Sequence, residues 1–535
     1  MKTSRKVLYA RGRIVTMDSD GSIADAVLVA GERIEAVGTE MELIGRYGEP
    51  AHRIDLGGKT LYPGFIDSHS HLSLCAVWRD HVYCGDVKDL DEALARLRVH
   101  AAAHPEQGFV VGYGFDDTDI TEQRGPTRQE LDAVCSTKPV LLLHLSVHGA
   151  YANTAMLKLL RIDPTRPCEE RDVRTTNGLP TGGLVRDMVI RALEHVPPQT
   201  PEQFEAGLLD AVEKYNAQGF TSTIGGGVGV SGQTPLDVIR GLLALEGGNR
   251  LNICVYMPYF WTCYPQMEAL GLLDLAGTRH VRPAGLKMVV DGSIQLFTAA
   301  VPEGYHTRPS VRPSIIGTQE ALNEKVYAVH AAGRQLIIHG NGNGAIEAII
   351  RAVELAQRRC PRPDPRHILV HCQMASDEQL GRMKRAGIWP TFFGLHIWNW
   401  GDRHVELFLG PERAARLDPC GSAARIGLPF SLHADTPILP QMTMRSIHTA
   451  VNRETKSGRR LGLEQRVSPL EAMKAYTVYP ARMMFGERER GSIEPGKFAD
   501  FTLLTDDPCL VAPDQIKNIS IIATISMGRI VWGRI

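Results

Sequence analysis

A chain of 535 residues exceeds the roughly 250–300 at which a single core stops growing, so one large domain with attachments, or several domains, is expected. Its 59 Lys and Arg nearly cancel 60 Asp and Glu, leaving a net charge of -1 with no basic block, which argues against nucleic acid or another polyanion as partner. Ten cysteines are spread without a CxxC pair, unlike a secreted disulfide framework, and this favours a cytoplasmic location.

In chain order, the opening "MKTSRKVLYARGRIVTMD" is basic, but its apolar run meets Arg11 and Arg13 too early for a signal-peptide core. "ARGRIVTMDSDGSIADAVLVAGERIEAVG" then alternates as Gly-punctuated strands, giving residues 1–60 as the first part of a small β-domain. After residue 60 short apolar runs recur: "LYPGFIDSH", "FTSTI", "LNICVYM", "GLKMVVD", "RQLIIH", "HILVH", "IWPTFF" and "PFSLHAD". Helical patterns such as "TPLDVIRGLLALEGG" and "AIEAIIRAVELAQRR" follow most of them, and eight such units close naturally into a barrel over residues 61–489. About 140 residues separate the first two strands, far more than a βα connection of a few residues, so an inserted subdomain at about 75–215 is expected over the barrel mouth. Within it, "PVLLLHLSVHGAYANTAML" is the longest apolar stretch, but its two histidines make it a poor membrane span, and no membrane partner is expected. "GSIEPGKFADFTLLT" and "IIATISMGRIVWG" end the chain as strands, so residues 490–535 complete the β-domain. The fold class is therefore α/β: a (β/α)8 TIM-like barrel, a composite β-domain from both terminal segments, and a large insert after strand one.

Barrel active sites sit at the C-terminal ends of the strands, so the residues there carry the functional reading. In "GFIDSHSHL", His69 and His71 stand two apart and point to one side of an extended segment, as metal ligands would. Strand four contains Lys287 ahead of Asp291, strands five and six end in His339 and His371, and strand eight ends in Asp435. Any one of these is ordinary as a hydrogen-bonded polar residue or a helix cap. Four histidines, a lysine and an aspartate converging on one mouth are not. Lys287 inside a buried strand is costly as an ammonium; it is either a snorkelling or ion-paired lysine, or a neutral amine that captures carbon dioxide and bridges two metals as a carbamate.

From "PGFIDSHSHL" through "GPTRQELDAVCSTKPVLLLHLSVHGAYANTAML", "GLPTGGLVRD", "GLKMVVDGSIQLFTAA", "HGNGNGAI" and "LGPERAARLDPCGSAARIGLPFSLHADTPI" to "GSIEPGKFAD", the chain resembles the amidohydrolase superfamily, in its amidohydrolase 3 branch. That branch includes N-substituted formamide deformylase-like metal-dependent hydrolases. The resemblance implies His69, His71, His339, His371 and Asp435 as metal ligands, Lys287 as an N6-carboxylysine bridging two divalent metals, and the composite β-domain. Two positions depart from the pattern. Asn343 stands where an acidic residue is usual, and His433 stands where a small one is. Imidazole and carboxylate ligands favour Zn2+, two per chain, with Mn2+, Co2+ or Fe2+ as substitutes.

The implied activity is that of a hydrolase cleaving an amide, N-formyl or cyclic amide C–N bond, with a metal-bound hydroxide as nucleophile and Asp435 as catalytic proton shuttle. The runner-up is a deaminase or ring C=N hydrolase with one metal, which calls for a glutamate near His339, whereas "HGNGNGAIE" first offers Glu347. A non-catalytic barrel scaffold is the rival from another class, and it has no need of a full ligand set. His148 and Asp117 in the insert, Phe393, His396 and Trp398 in "FFGLHIWNWGD", and His433 are the candidate substrate-binding residues. "GVGVSG" formally matches a dinucleotide fingerprint, but no acidic residue follows about 20 positions on, so it reads as a glycine-rich loop after strand two. A small-molecule amide is the expected partner, and a homodimer the default assembly.

Overall fold

The computed structural model describes residues 6–50, 52–229, 233–274 and 276–535; the last three residues of "GVGVSG" lie outside these. Its centre is an eight-stranded, all-parallel sheet. In chain order the strands are Phe65–Ser70, Phe220–Gly225, Cys254–Phe260, Val281–Val289, Leu336–Gly340, His367–His371, Ile388–Phe393 and Ser431–His433. Each pairs with its sequence neighbour, and the first and eighth are joined by the Ser68 hydroxyl donating to the Leu432 carbonyl at 3.1 Å. The sheet is thus a nearly closed barrel. Strands such as "LIIHG" and "HILVH" are buried at every position, as expected where helices cover one face and the barrel interior the other. The connecting helices begin on side-chain caps. Thr200 and Ser376 form capping boxes with Gln203 and Gln379, and Gly387 closes Asp377–Ala386 in the left-handed conformation.

The two chain ends share a second sheet. Strand Phe501–Leu504 runs antiparallel to Thr60–Pro63, pairing Phe501 with Pro63, and the sheet continues through Lys6–Val15, Ile23–Ala30 and Arg33–Gly38. "LYPGFIDSH" reads as one strand in the sequence but divides at Gly64: Thr60–Pro63 lies in the terminal sheet and Phe65–Ser70 in the barrel. Gly64 makes the division possible, because a Cβ there would lie 2.3 Å from Thr221 Oγ1. The terminal sheet accordingly extends past residue 60.

Between the first two barrel strands the chain builds a third, six-stranded sheet, from Val82–Tyr83 to Leu179–Val185. It reaches the mouth of the barrel. The Asp116 carboxylate accepts from Trp400 Nε1 at 3.0 Å and from Arg403 at 2.9 Å, and the His148 ring lies 5.2 Å from that of His339.

Candidate metal centre

The barrel's parallel register carries the strand-end polar residues to one level. Val289 pairs with His339, Gly340 with His371, and Phe393 with His433. Asp435 follows two residues after His433 and is the hub. Its Oδ1 lies 3.1 Å from His69 Nε2 and 3.3 Å from His71 Nε2, and its Oδ2 lies 4.0 Å from His371 Nε2. Lys287 Nζ is 3.5 Å from His69 Nε2. The His339 ring stands 4.6 Å from that of His371, and the His433 ring 5.2 Å and 5.1 Å from those of His69 and His371. All six residues read as metal ligands, and His433 with them, therefore gather at one place. Gly226 leaves room for the His71 ring, since a Cβ there would lie 2.2 Å from its Cε1.

Two of these residues hold uncommon backbone: φ is 69° at His371 and 54° at Asp435, where a side chain other than glycine is strained. Behind them Asp67 accepts from Gln441, and Asp291 accepts three backbone N–H groups, from Asn341, Gly342 and Ala300, each at 2.9 Å.

Burial governs the electrostatics. It depresses the Lys287 ammonium to about 7, against a smaller opposing pull from Asp435. Burial also lowers His69, His339 and His371 well below the ordinary imidazole value, and His433 to about 3, so these rings are neutral and offer lone pairs. For Asp435 burial pushes upward, but the imidazoles of His69, His71 and His371 outweigh it and hold the carboxylate ionised.

This donor set fits a metal ion. His69 Nδ1, His371 Nδ1, both nitrogens of His433 and Asp435 Oδ1 are buried without a hydrogen-bond partner, a concentration of unmet polar groups at one place. His69, His71 and Asp435 present one ligand atom each within 4.8 Å of one another, and neutral imidazole with carboxylate is borderline chemistry suited to first-row divalent ions.

A cavity of about 40 Å³ adjoins the cluster, lined by His339, His371 and Asp435 together with Phe393, Trp400 and Ile438. Of the residues the sequence suggested for substrate binding, His148, Phe393 and His396 line it, and His433 packs against Phe393 beside it. Asp117 does not: its carboxylate accepts from Tyr151 at 2.6 Å and lies 3.5 Å from His144 Nε2. Nor does Trp398, whose ring sits under Arg445 and Lys456, leaving the neighbouring Trp400 to face the cavity. Asn343 turns outward to Glu303, and Glu347 is paired with Arg382, so neither reaches the site. Gln295, Gln373 and Ser293 also line it and are absent from the sequence reading. Gln373 follows His371 by two residues, the spacing that marks His69 and His71, and that was the one available signal.

The fold and site define a nearly closed parallel barrel with a histidine and aspartate cluster at its strand ends. The chain belongs to the amidohydrolase family, whose model matches residues 53–532. It is 30% identical to N-substituted formamide deformylase of Arthrobacter pascens over 562 aligned positions, covering 100% of this chain and 99% of that one. Two crystal structures of uncharacterized metal-dependent hydrolases share the fold. That from Pyrococcus furiosus superposes with TM-score 0.73 at 24% identity, covering 94% of this chain and 100% of the other. That from Pyrococcus horikoshii OT3 gives 0.75 at 23%, covering 95% and 99%. Among the described residues no helix is long and apolar enough to cross a membrane.

Proposed function

We propose that this protein hydrolyses an amide-type C–N bond, of the N-formyl, N-acyl or cyclic class, in a small molecule. The observation that carries the reading is Asp435, which meets three imidazoles at once while facing the cavity. His69, His71, His339, His371 and Asp435 would hold divalent metal, best zinc, two ions per chain; when bound it supplies Lewis acidity and a water of lowered pKa. Asp435, ionised and anchored, accepts the proton of the attacking water and returns it to the leaving amine nitrogen, so that it ends the cycle as it began. Phe393, Trp400 and Ile438 exclude bulk water along one flank.

Lys287 completes the reading. Its depressed basicity provides free amine near neutral pH, and addition of carbon dioxide to Nζ with loss of one proton forms a carbamate, an anion in place of a buried cation. The mononuclear C=N route lacks its glutamate at the site, because Glu347 is held by Arg382. The cytoplasmic placement in this reading is supported by ten free cysteines. Its homodimer is to be checked by size-exclusion chromatography with light scattering.

The test is a panel of N-formyl, N-acetyl and cyclic amides incubated with purified protein reconstituted in zinc, manganese or cobalt, with amine and acid release measured together. The proposal predicts stoichiometric release of both from at least one class. Failure across the panel in a metal-loaded protein contradicts it.

A further inference from the structure

The cavity beside the metal cluster is also lined by a group of polar side chains that no step above uses. Gln295, Gln373 and His396 reach it from the segments after barrel strands four, six and seven, and all three are buried. The carboxamide nitrogens of Gln295 and Gln373 lie 2.8 Å and 3.0 Å from His396 Nε2. Asp418 stands behind the ring, its Oδ2 3.6 Å from His396 Nδ1, and its backbone N–H donates to the Gln373 carbonyl at 2.9 Å. The scaffold is held in costly conformations: Phe297, Cys372 and Asp418, each close to one of these side chains in sequence or contact, have φ of 57°, 50° and 48°.

These side chains have unmet hydrogen-bonding capacity. His396 Nδ1 and both Asp418 carboxylate oxygens are buried without a hydrogen-bond partner, and with the imidazole proton on Nδ1, the nitrogen nearer that carboxylate, Nε2 offers one lone pair while two carboxamide nitrogens converge on it. The two NH2 groups carry four N–H bonds, so three are left over. Acceptors are left over as well, since Gln373 Oε1 and the neighbouring Asn341 Oδ1 are buried with no partner. Unpaired buried acceptors call for N–H donors, and the spare donors call for a carbonyl. No lysine or arginine is among the residues lining the cavity, so a carboxylate at Gln373 and Asn341 would meet unpaired oxygens and no cationic side chain.

We infer that Gln295, Gln373 and His396, positioned by Asp418, form a subsite for a second, uncharged amide-type group of the substrate, a carboxamide, urea or lactam edge, and select against N-acyl amino acids with a free carboxylate. The inference rests on the proposed hydrolytic reading for its place in the reaction, but the subsite itself can be tested without turnover. Phe393 and Trp400 adjoin His396, so apolar surface flanks the polar group.

Sulfonamides, which resist amide hydrolysis, isolate binding. Calorimetry on the metal-loaded protein at neutral pH would compare N-methanesulfonylglycinamide with N-methanesulfonylglycine and N-methanesulfonylethylenediamine, which put a carboxamide, a carboxylate and an ammonium at one position. The carboxamide should bind at least about 10-fold more tightly than either charged probe, the value of one well-made hydrogen bond. Gln373→Leu and, independently, Gln295→Leu should bring the ratios to within about two-fold while melting temperature and metal content are kept. Gln373→Lys should turn the preference towards the carboxylate. Equal or tighter binding of either charged probe, no measurable binding of the carboxamide, or unchanged ratios in both leucine variants would overturn the subsite. A protein that shows these ratios yet hydrolyses no amide would contradict only the proposed reaction.

Discussion

Barrel strand six, "HILVH", has a histidine at each end, and the two ends differ in what their nitrogens do. At the N-terminal end His367 accepts from the Leu336 backbone N–H at 3.0 Å through Nδ1. Its Nε2 lies 2.8 Å from His330 Nδ1, and His330 Nε2 donates onward to the Cys360 carbonyl at 2.8 Å. Each nitrogen in that pair has one partner and the tautomers follow in sequence. At the C-terminal end His371 Nδ1 is buried with no partner, and Nε2 faces Asp435 at 4.0 Å. Both residues are buried and both have depressed basicity, chiefly from burial. Burial and a shifted pKa therefore do not separate structural from functional histidines here. Between these two, unmet hydrogen-bonding capacity does.

The largest effect that would sharpen this contrast is on turnover. Asp435→Asn preserves shape but cannot take a proton, so kcat should fall by about 10²–10⁴-fold with most of the metal retained. Near-normal turnover would move the shuttle elsewhere, with His433 the first residue to examine. His371→Ala should reduce activity by more than about 100-fold, beyond the loss typical of groups that only orient ligands, whereas His367→Ala, at the other end of the same strand, should leave the turnover of its folded fraction near wild type. Equal losses in the two variants would remove the distinction between the ends.

Next in size is Lys287→Ala. It removes the group read as a carbamate, and millimolar formate, acetate or propionate should restore part of the lost activity, measured as initial rate against added acid. No rescue by any of the three would favour an unmodified lysine.

The smaller effects are on stability. Removing the His367 ring strands the Leu336 N–H and His330 Nδ1, each costing about 1–3 kcal/mol when buried without a partner, and chemical denaturation should show that loss with no change in metal content. The same pair sets a pH dependence. His330 and His367 have folded-state pKa values lowered by burial, so the unfolded chain binds more protons once pH falls below about 6.5. Their contribution is full above that value and declines as pH drops towards the folded-state pKa values. Other buried histidines titrate in the same direction, so the informative quantity is the wild type minus the His367→Gln variant, whose slope between pH 7.5 and pH 5 should be the shallower of the two.

Much of the site was legible because barrel strands covered on both faces are apolar throughout, and a histidine or lysine interrupting such a run stands out. His69, His71, Lys287, His339, His371 and Asp435 stand out in this way, and the fold brings them together. What defeated the sequence was orientation and partnership. His367 and His371 are indistinguishable in "HILVH", and only the Leu336 N–H and the His330 ring separate them. Two indoles two residues apart, Trp398 and Trp400, face opposite surroundings on one helical turn, which the sequence could not resolve. Asp117 reads as available in the sequence, but its carboxylate accepts from Tyr151 and lies beside His144. Gln295 and Gln373 are unremarkable in sequence, because their role arises only where three separate loops meet His396. Gly64 divides one apolar run between two sheets, an outcome set by the Thr221 side chain some 150 residues away.

The central claim, that unmet lone pairs at the barrel mouth exist to hold metal, is tested most directly by metal content. Wild type, His371→Ala and His367→Ala would be reconstituted with zinc, desalted and assayed by elemental analysis per mole of folded chain. The account predicts one to two equivalents in the wild type and in His367→Ala, and a clear loss in His371→Ala. Metal-free wild type after reconstitution, or equal zinc in all three proteins, would contradict it.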